Sequence, residues 1–117
     1  MDDKRCYLAI DGGNSKTEYR LLNASGAVIA ARRGGASNHE TLPNGYAGAA
    51  DVLVGEIEEL VASQHYSLHQ VADAVLGLAG ADYDEQALAL QEALRERGLA
   101  QSFVCNDGYL GVMAGVE

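Results

Sequence analysis

Long apolar runs are absent from this sequence. The run that follows Met1-Asp-Asp-Lys-Arg5 is only as long as a β-strand. A membrane-spanning helix needs about 20 apolar residues, and the core of a secretory signal peptide needs about 7–15. The sequence therefore predicts neither a membrane span nor a secretion signal, and we expect a cytoplasmic protein.

Basic residues are also few. Eight Lys and Arg stand against seventeen Asp and Glu, and the formal net charge is −9 at pH 7. Proteins bind nucleic acids and anionic membrane surfaces through clustered positive charge. We therefore expect neither a nucleic acid nor a membrane as a partner.

Cysteine is scarce, with Cys6 and Cys105 as the two thiols. Both fall within predicted strands, and such a pair in an intracellular chain is more often two buried thiols than a disulfide, although the sequence leaves the disulfide open. Zinc sites require cysteine and histidine at set spacings. No such arrangement surrounds His39, His65 or His69, which argues against a zinc site.

Repeats, low-complexity tracts and linkers are absent as well. A chain of 117 residues is long enough to bury one hydrophobic core and marginal for two domains. We therefore treat residues 1–117 as one domain.

What is present is a regular order of strands and helices. Alternating apolar residues predict strands, and apolar residues spaced three and four apart predict helices. The order is three strands in an antiparallel meander, a helix, a strand, a second helix, a fifth strand and a third helix that is still running at Glu117. In the sequence these are residues 7–22 for the first two strands with their turn, then 27–33, 47–63, 71–78, 84–97, 101–106, and Gly108 onward.

The most informative segment is the polar turn between the first two strands. Its two glycines permit a tight bend and a positive φ, and amide hydrogens in such a turn can point at phosphate oxygens. Asp11, at the end of the first strand, offers the hard oxygen that Mg²⁺ prefers, and the residues after it add donors. The turn therefore suits a nucleoside triphosphate with its metal, bound by Asp11 and by Gly12, Gly13, Asn14, Ser15, Lys16 and Thr17.

The polar turn allows two other interpretations. The Walker phosphate loop requires GxxxxGK[ST] between a strand and a helix, but the residues after Thr17 alternate as a second strand does. A phosphate-binding β-hairpin is therefore the better description. An ordinary hairpin with a polar turn stays open, because glycine-rich hairpin turns are common.

The sequence Asp11-Gly-Gly-Asn-Ser-Lys-Thr17 between two strands resembles the first phosphate motif of the sugar kinase, heat-shock-protein ATPase and actin superfamily. Within it, the chain is most similar to the BadF/BadG/BcrA/BcrD ATPase family, which includes N-acetylglucosamine kinases. The likeness extends over essentially all 117 residues, although Asn14 and Ser15 stand where many relatives have Gly and Thr. It implies an α/β, ribonuclease-H-like fold: a mixed five-stranded sheet of order 3-2-1-4-5 flanked by helices. The cofactors it implies are ATP and Mg²⁺.

Asn106-Asp107-Gly108, at the end of the fifth strand, resembles the Asn-Asp-Ala or Asn-Asp-Thr motif of sugar kinases. The resemblance implies that Asp107 is the catalytic base, which accepts the proton of the substrate hydroxyl during phosphoryl transfer. Asn106 is assigned to the substrate. The alternative is that Asp107 only caps the helix that follows.

Two further segments resemble the sugar-binding parts of the family. Gly34-Gly-Ala-Ser37-Asn38-His39 resembles its GxxNH segment, which implies that Ser37 and Asn38 contact sugar hydroxyls; an uncharged amide can both donate and accept. The alternative is a solvated turn of ordinary loop residues. Gly77-Leu-Ala-Gly80 resembles the small-residue segment beside the sugar, and Gly80 is assigned to the substrate site.

These motifs should meet at one edge of the sheet. Parallel strands place their carboxyl ends at the same edge, where open α/β sheets bind ligands. The implied strand order separates Asp11 and Asp107 by two strand spacings, about 10 Å. We expect a metal-bound phosphate and a sugar hydroxyl to fit in that gap.

The resemblance thus implies the N-terminal half of an ATP-dependent sugar kinase, which transfers the γ-phosphoryl group of MgATP to a hydroxyl of a small-molecule sugar. Such kinases hold the nucleotide between two domains, so we expect a missing C-terminal domain and little activity from these residues alone. One alternative is an ATPase that activates a dehydratase through an iron–sulfur cluster, and another is a non-catalytic sugar-binding or dimerising module. A homodimer around Leu110 and Val112 is also expected if the sheet face meant for the missing parts stays exposed.

Overall fold

Alternating burial along the first strands sets up the sheet. The computed structural model describes residues 4–107. None of the helices in this range could span a membrane. Apolar residues alternate in the first two strands, and helical spacing begins only after residue 44. The elements are β1 (Cys6–Gly12), β2 (Lys16–Leu22), β3 (Val28–Gly35), α1 (Gly45–Ser63), a 3₁₀ turn (Leu68–Gln70), β4 (Val71–Leu78), α2 (Asp84–Glu96) and β5 (Phe103–Asn106).

The strands form one mixed sheet in the order β3-β2-β1-β4-β5. The pairs β1–β2 and β2–β3 are antiparallel, and the pairs β1–β4 and β4–β5 are parallel. The predicted order 3-2-1-4-5 is confirmed, and the element bounds lie within a few residues of those expected. The third helix predicted from Gly108 onward and the dimer patch around Leu110 and Val112 lie outside the described residues.

The two faces of the sheet differ in how deeply they are buried. Leu8 and Ile10 of β1 belong to one core with the apolar stripes of α1 and α2. The opposite face of the sheet is less covered within residues 4–107, since Asp11 lies exposed there and Phe103 remains 52% exposed. The core therefore lies between the sheet and the two helices, and the exposed edge carries the polar segments.

Salt bridges attach the two helices at their margins. Arg32 of β3 contacts Glu56 at 2.6 Å and Glu59 at 2.9 Å, and Arg97, just after α2, contacts Asp51 of α1 at 2.6 Å. Partly exposed pairs of this kind contribute about 0–1 kcal/mol each. They therefore orient α1 and α2, while the buried apolar stripes hold them to the sheet.

Both cysteines are free thiols, as the sequence favoured. Cys6 is buried in β1 and Cys105 is half-buried in β5. Burial raises the pKa of both thiols above the ordinary value. Because the thiolate is the reactive and metal-binding form, both groups are poor nucleophiles at neutral pH.

Tyr19 is the largest fully buried side chain of the core. Burial raises its pKa to about 12, and the nearby Glu56 carboxylate adds to the shift, while Thr17 and Arg32 oppose it. An unfolded tyrosine ionises near pH 10. Ionisation of Tyr19 therefore lowers the stability of the folded protein, because a phenolate would be buried beside a carboxylate.

This burial predicts a loss of stability in alkaline solution. Since the pKa of Tyr19 is higher in the folded state, the neutral side chain contributes fully to the free energy of unfolding below pH 10. This contribution falls as the pH rises toward 12, by about 2–3 kcal/mol in total. The measurement is the free energy of unfolding in urea at pH 9, 10, 11 and 12. Tyr19→Phe is the matched control and should show a correspondingly weaker decline; an equally steep decline in both proteins would contradict the assignment.

Candidate functional site at the carboxyl edge of the sheet

Four segments meet at the carboxyl edge of the parallel strands. They are the tip of the β1–β2 hairpin, the loop of residues 36–44 after β3, residues 79–83 after β4, and the end of β5 with Asp107. β3 runs in the same direction as β1 because it is antiparallel to β2. All four segments therefore leave the sheet at one edge, as the order of elements predicted.

The hairpin tip presents its polar groups to solvent. The backbone N–H of Gly13 donates to the Lys16 carbonyl at 2.8 Å and closes the turn, and Asn14, Ser15 and Lys16 are exposed. Lys16 Nζ lies 4.0 Å from the Glu18 carboxylate. The tip thus carries an amide, a hydroxyl and an ammonium group that are accessible to an anion.

The two glycines of the turn were expected to permit a positive φ. Neither has a positive φ. Gly12 is needed for close packing, because a Cβ there would lie 2.6 Å from Ser37 Oγ and 2.8 Å from Leu78 Cδ2. A Cβ on Gly13 would meet only the Lys16 carbonyl, at 3.4 Å. The hairpin is therefore constrained at Gly12 by its neighbours and not by its backbone conformation.

Thr17 and Ser37 are buried beneath the hairpin, with 0% and 2% exposure. Thr17 Oγ1 lies 2.8 Å from the Gly35 carbonyl and 2.9 Å from Ser37 Oγ. A hydroxyl has one proton and a carbonyl can only accept, so Thr17 donates its proton to the Gly35 carbonyl. In the second bond the Ser37 hydroxyl donates and Thr17 Oγ1 accepts. The two hydroxyls, both predicted as ligand contacts, are used here to join the hairpin to the loop after β3.

Asn38 is held on three sides. Its Nδ2 donates to Asn14 Oδ1 at 2.8 Å, and its Oδ1 accepts the backbone N–H of Glu40 at 2.9 Å. Gly80, with φ of +93°, approaches so closely that a Cβ there would lie 2.4 Å from Asn38 Oδ1. Only glycine suits this position, because it tolerates both the positive φ and the contact.

The loop around Asn38 is not a solvated turn. Asn38 is 6% exposed and His39 is 8% exposed. The His39 ring stacks on Tyr46 with 4.3 Å between the ring centroids. The chain after β3 is therefore packed against the start of α1 and is ordered by that packing.

Asp11 lies on the exposed face of the sheet, at the end of β1. Its neighbours across the strands are Glu18 of β2 and Gly77 of β4. Gly77 has no side chain, so the surface beside the Asp11 carboxylate is open. Carboxylate oxygen is the ligand type that Mg²⁺ prefers, usually together with waters and phosphate oxygens.

Asp11 would not hold a cation with protein ligands alone. Across residues 4–107, no three His, Cys, Asp or Glu side chains are grouped as a metal site. Mg²⁺ keeps several waters and binds through one or two carboxylates together with substrate phosphates, so a single exposed carboxylate suits its chemistry.

Asp107 directly follows β5 and is half-buried. Cys105, two residues earlier, is level with Gly77 and Asp11 across the sheet. The strand register thus puts Cys105 two strand spacings, on the order of 10 Å, from Asp11, and Asp107 follows two residues further along the chain. Asp11 and Asp107 leave the sheet at the same edge.

Asn106 fixes the end of β5. Its Nδ2 donates to Asp82 Oδ1 at 2.7 Å, which joins β5 to the segment after β4. Asp82 and Glu40 were not among the predicted site residues. Each contributes to the site through a hydrogen bond to an asparagine side chain. The sequence gives no signal of such a role, because an acceptor or a backbone amide in a loop is an ordinary feature.

Comparisons with known proteins give matches for the fold but not for the sequence. No family model matches the chain, and no curated protein matches it. Among solved structures, 41 chains match. The likeness is therefore structural.

Two of the similar structures superpose with a TM-score of 0.63. One is a candidate N-acetylglucosamine kinase from Chromobacterium violaceum, with 22% identity over 92% of this chain and 37% of that chain. The other is a transcriptional regulator of the ROK family, a homologue of the E. coli MLC protein, with 18% identity over 88% of this chain and 28% of that chain. A third is a reductive activator for a corrinoid, iron–sulfur protein, with a TM-score of 0.52, 16% identity, and 83% of this chain and 18% of that chain covered.

These similarities establish the fold of the chain. It has an α/β fold similar to that of the candidate kinase, with the strand order 3-2-1-4-5. The chain spans 37% of the kinase and smaller shares of the other two proteins.

The packing of Gly12 gives a direct test of the site's construction. Gly12→Ala should lower the free energy of unfolding by about 2 kcal/mol, because the new methyl group overlaps Ser37 and Leu78 and forces the loop after β3 to move. Gly13→Ala is the matched control and should change it by less than about 1 kcal/mol. Urea unfolding of both variants measures the difference, and equal effects would show that the close approach at Gly12 is not a constraint.

Proposed function

We propose that this chain is the N-terminal domain of an ATP-dependent sugar kinase, which transfers the γ-phosphoryl group of MgATP to a sugar hydroxyl. N-acetylglucosamine is the first sugar to test, and the chain would belong to the BadF/BadG/BcrA/BcrD type. The observation that carries the proposal is that Asp11 and Asp107 leave the sheet at one edge, with the polar hairpin beside Asp11.

The hairpin tip is proposed as the phosphate site. Asp11 would hold Mg²⁺, and the exposed tip residues would contact phosphate oxygens through the ammonium, hydroxyl, amide and backbone groups of Lys16, Ser15, Asn14 and Gly13. When bound, MgATP supplies an activated phosphoryl group whose charge the metal neutralises. Thr17 and Gly12 support the tip from below, Thr17 through its bond to Ser37 and Gly12 through its missing side chain.

The segments after β3, β4 and β5 are proposed as the sugar site. Asn38 and Asn106 present amide groups at the edge, and Gly80 leaves the space that Asn38 occupies. Ser37 orients the loop that carries Asn38. Asp107 would accept the proton of the attacking sugar hydroxyl as the phosphoryl group arrives.

A second domain is part of the proposal. Because the chain spans 37% of the candidate kinase, adenosine contacts and a second phosphate loop would come from residues beyond it. Closure of two domains excludes water and completes the positioning of substrates. The 117 residues alone should therefore bind MgATP weakly and turn over very slowly. We also propose a cytoplasmic protein.

An activator of a dehydratase is less well supported. Its iron–sulfur cluster needs accessible thiolates. Cys6 is buried and Cys105 is half-buried, and burial raises the pKa of both. A preparation of the full-length protein that contains iron and sulfide in stoichiometric amounts would reverse this preference.

The role of Asp107 predicts a specific loss of turnover. In the full-length protein supplied with MgATP and N-acetylglucosamine, Asp107→Asn should lower kcat by about 10²–10⁴-fold, because an amide cannot accept the hydroxyl proton. The KM for sugar should change little. Coupled measurement of ADP release gives both constants.

The control for this variant is Glu58→Gln, which makes the same chemical change at an exposed position of α1 and should leave kcat unchanged. A different outcome is that the wild-type protein turns over no amino sugar or hexose while Asp107→Asn still binds sugar. That pair of results would point instead to a non-catalytic sugar-binding module.

The role of Asp11 predicts a change in metal dependence. Asp11→Asn should raise the Mg²⁺ concentration at half-maximal activity about tenfold, because a neutral amide oxygen is a weaker ligand than a carboxylate. Binding of N-acetylglucosamine, measured by calorimetry without nucleotide, should be unchanged. An unaltered Mg²⁺ titration would remove Asp11 from the metal site.

A further inference from the structure

Two hydrogen-bond bridges join the β1–β2 hairpin to the loop after β3. The inner bridge links Thr17 Oγ1 to Ser37 Oγ at 2.9 Å, and both side chains are buried. The outer bridge links Asn38 Nδ2 to Asn14 Oδ1 at 2.8 Å, and Asn14 is exposed at the hairpin tip. The outer bridge is therefore the one that ligands at the sheet edge can influence.

The outer bridge has one defined geometry because the Asn38 amide is fixed. Its Oδ1 accepts the backbone N–H of Glu40 and lies close to the Gly80 backbone. With Oδ1 fixed, Nδ2 points at Asn14, which accepts one of the two amide protons. The second proton of Nδ2 can be donated to a sugar hydroxyl without breaking the bridge.

We infer that Asn14 is a positioning residue that couples the binding of nucleotide and sugar, and this inference rests on the proposed function. A phosphate group at the hairpin tip orders Asn14 where its Oδ1 accepts one proton of the already fixed Asn38 amide, and the second proton then stays available to the sugar. A sugar hydroxyl on Asn38 favours the same bridged state and so orders the tip. Ligands that favour one state bind with positive coupling, and the coupling is reciprocal.

The bridge is a property of this chain's own residues. Glycine, which stands at position 14 in many proteins with the resembling motif, has no side chain and cannot accept the Asn38 proton. Asn14 and Asn38 lie 24 residues apart in sequence. The coupling thus depends on Asn14, a residue of the hairpin tip that differs from the motif.

The experiment measures binding of N-acetylglucosamine to the full-length protein by calorimetry. Titrations are made with and without saturating Mg²⁺ and a non-hydrolysable ATP analogue. In the wild type, the nucleotide should lower the Kd of the sugar about fivefold or more. In Asn14→Ala this factor should fall to about one. Asn14→Asp should lose it as well, because a carboxylate accepts the Asn38 N–H but repels the phosphate that would order residue 14.

Asn23→Ala is the matched control. Asn23 organises the turn between β2 and β3, away from the site, where its Oδ1 accepts the backbone N–H groups of Ser25 and Ala27 at 3.1 Å each. Its removal should lower stability while leaving the coupling factor unchanged. A coupling factor that falls equally in Asn23→Ala and Asn14→Ala would mean that general destabilisation, and not the bridge, is responsible.

A second measurement tests the bridge without ligands. If it forms, Asn14→Ala should change the unfolding equilibrium constant less when Asn38→Ala is already present, because the bond has been removed. Multiplicative effects of the two substitutions would overturn the inference, as would wild-type protein that binds both ligands without coupling. Wild-type protein that binds neither sugar nor nucleotide would overturn the proposed function and the coupling together.

Discussion

The close packing of the β1–β2 hairpin on the loop after β3 is the constraint on which the rest of the site depends. Gly12 lies where any side chain would overlap Ser37 and Leu78. Thr17 bonds to Ser37, and the backbone N–H of Ala79 donates to the Gly12 carbonyl at 2.7 Å. Three segments that are distant in sequence are thereby locked into one body. The polar groups on them are positioned by that packing and not by the loops' own conformational preferences.

Charge around the hairpin differs from the charge of the chain as a whole. The net charge is −9, which would repel a nucleotide. Beside Asp11, however, Glu18 is surrounded by Lys16, Arg20 and Arg33 at 4.0, 3.6 and 3.1 Å. These exposed pairs add little stability. They do reduce the repulsion that a phosphate would meet at this corner of the sheet, because the three cations outnumber the two acids.

Several roles differ from those that the motifs suggested, and each for the same reason. Gly12 was expected to permit a positive φ, but a neighbour's side chain requires its small size. Thr17 and Ser37 were expected to contact ligands, but both hydroxyls lie in the core and bond across the two segments. A motif names residue types and their order, whereas the contacts between motifs depend on packing that no local pattern contains.

Local patterns in the sequence determined the elements and their order. Alternation from residue 7 to residue 22 requires a hairpin, and the helical spacing around Leu53 and Ile57 requires an amphipathic helix, because each pattern buries apolar side chains in only one conformation. The strand order came from the resemblance to sugar kinases.

Which polar groups meet depends on how the elements pack in three dimensions. The Asn14–Asn38 bond, the contact of Gly80 with Asn38, and the bond from Asn106 to Asp82 each join residues 24 or more apart in sequence. Such contacts arise when separate elements pack on one sheet, so distances between loops are set by the core beneath them. The sequence therefore determined which chemical groups the edge contains, and the fold decided which of them are held together.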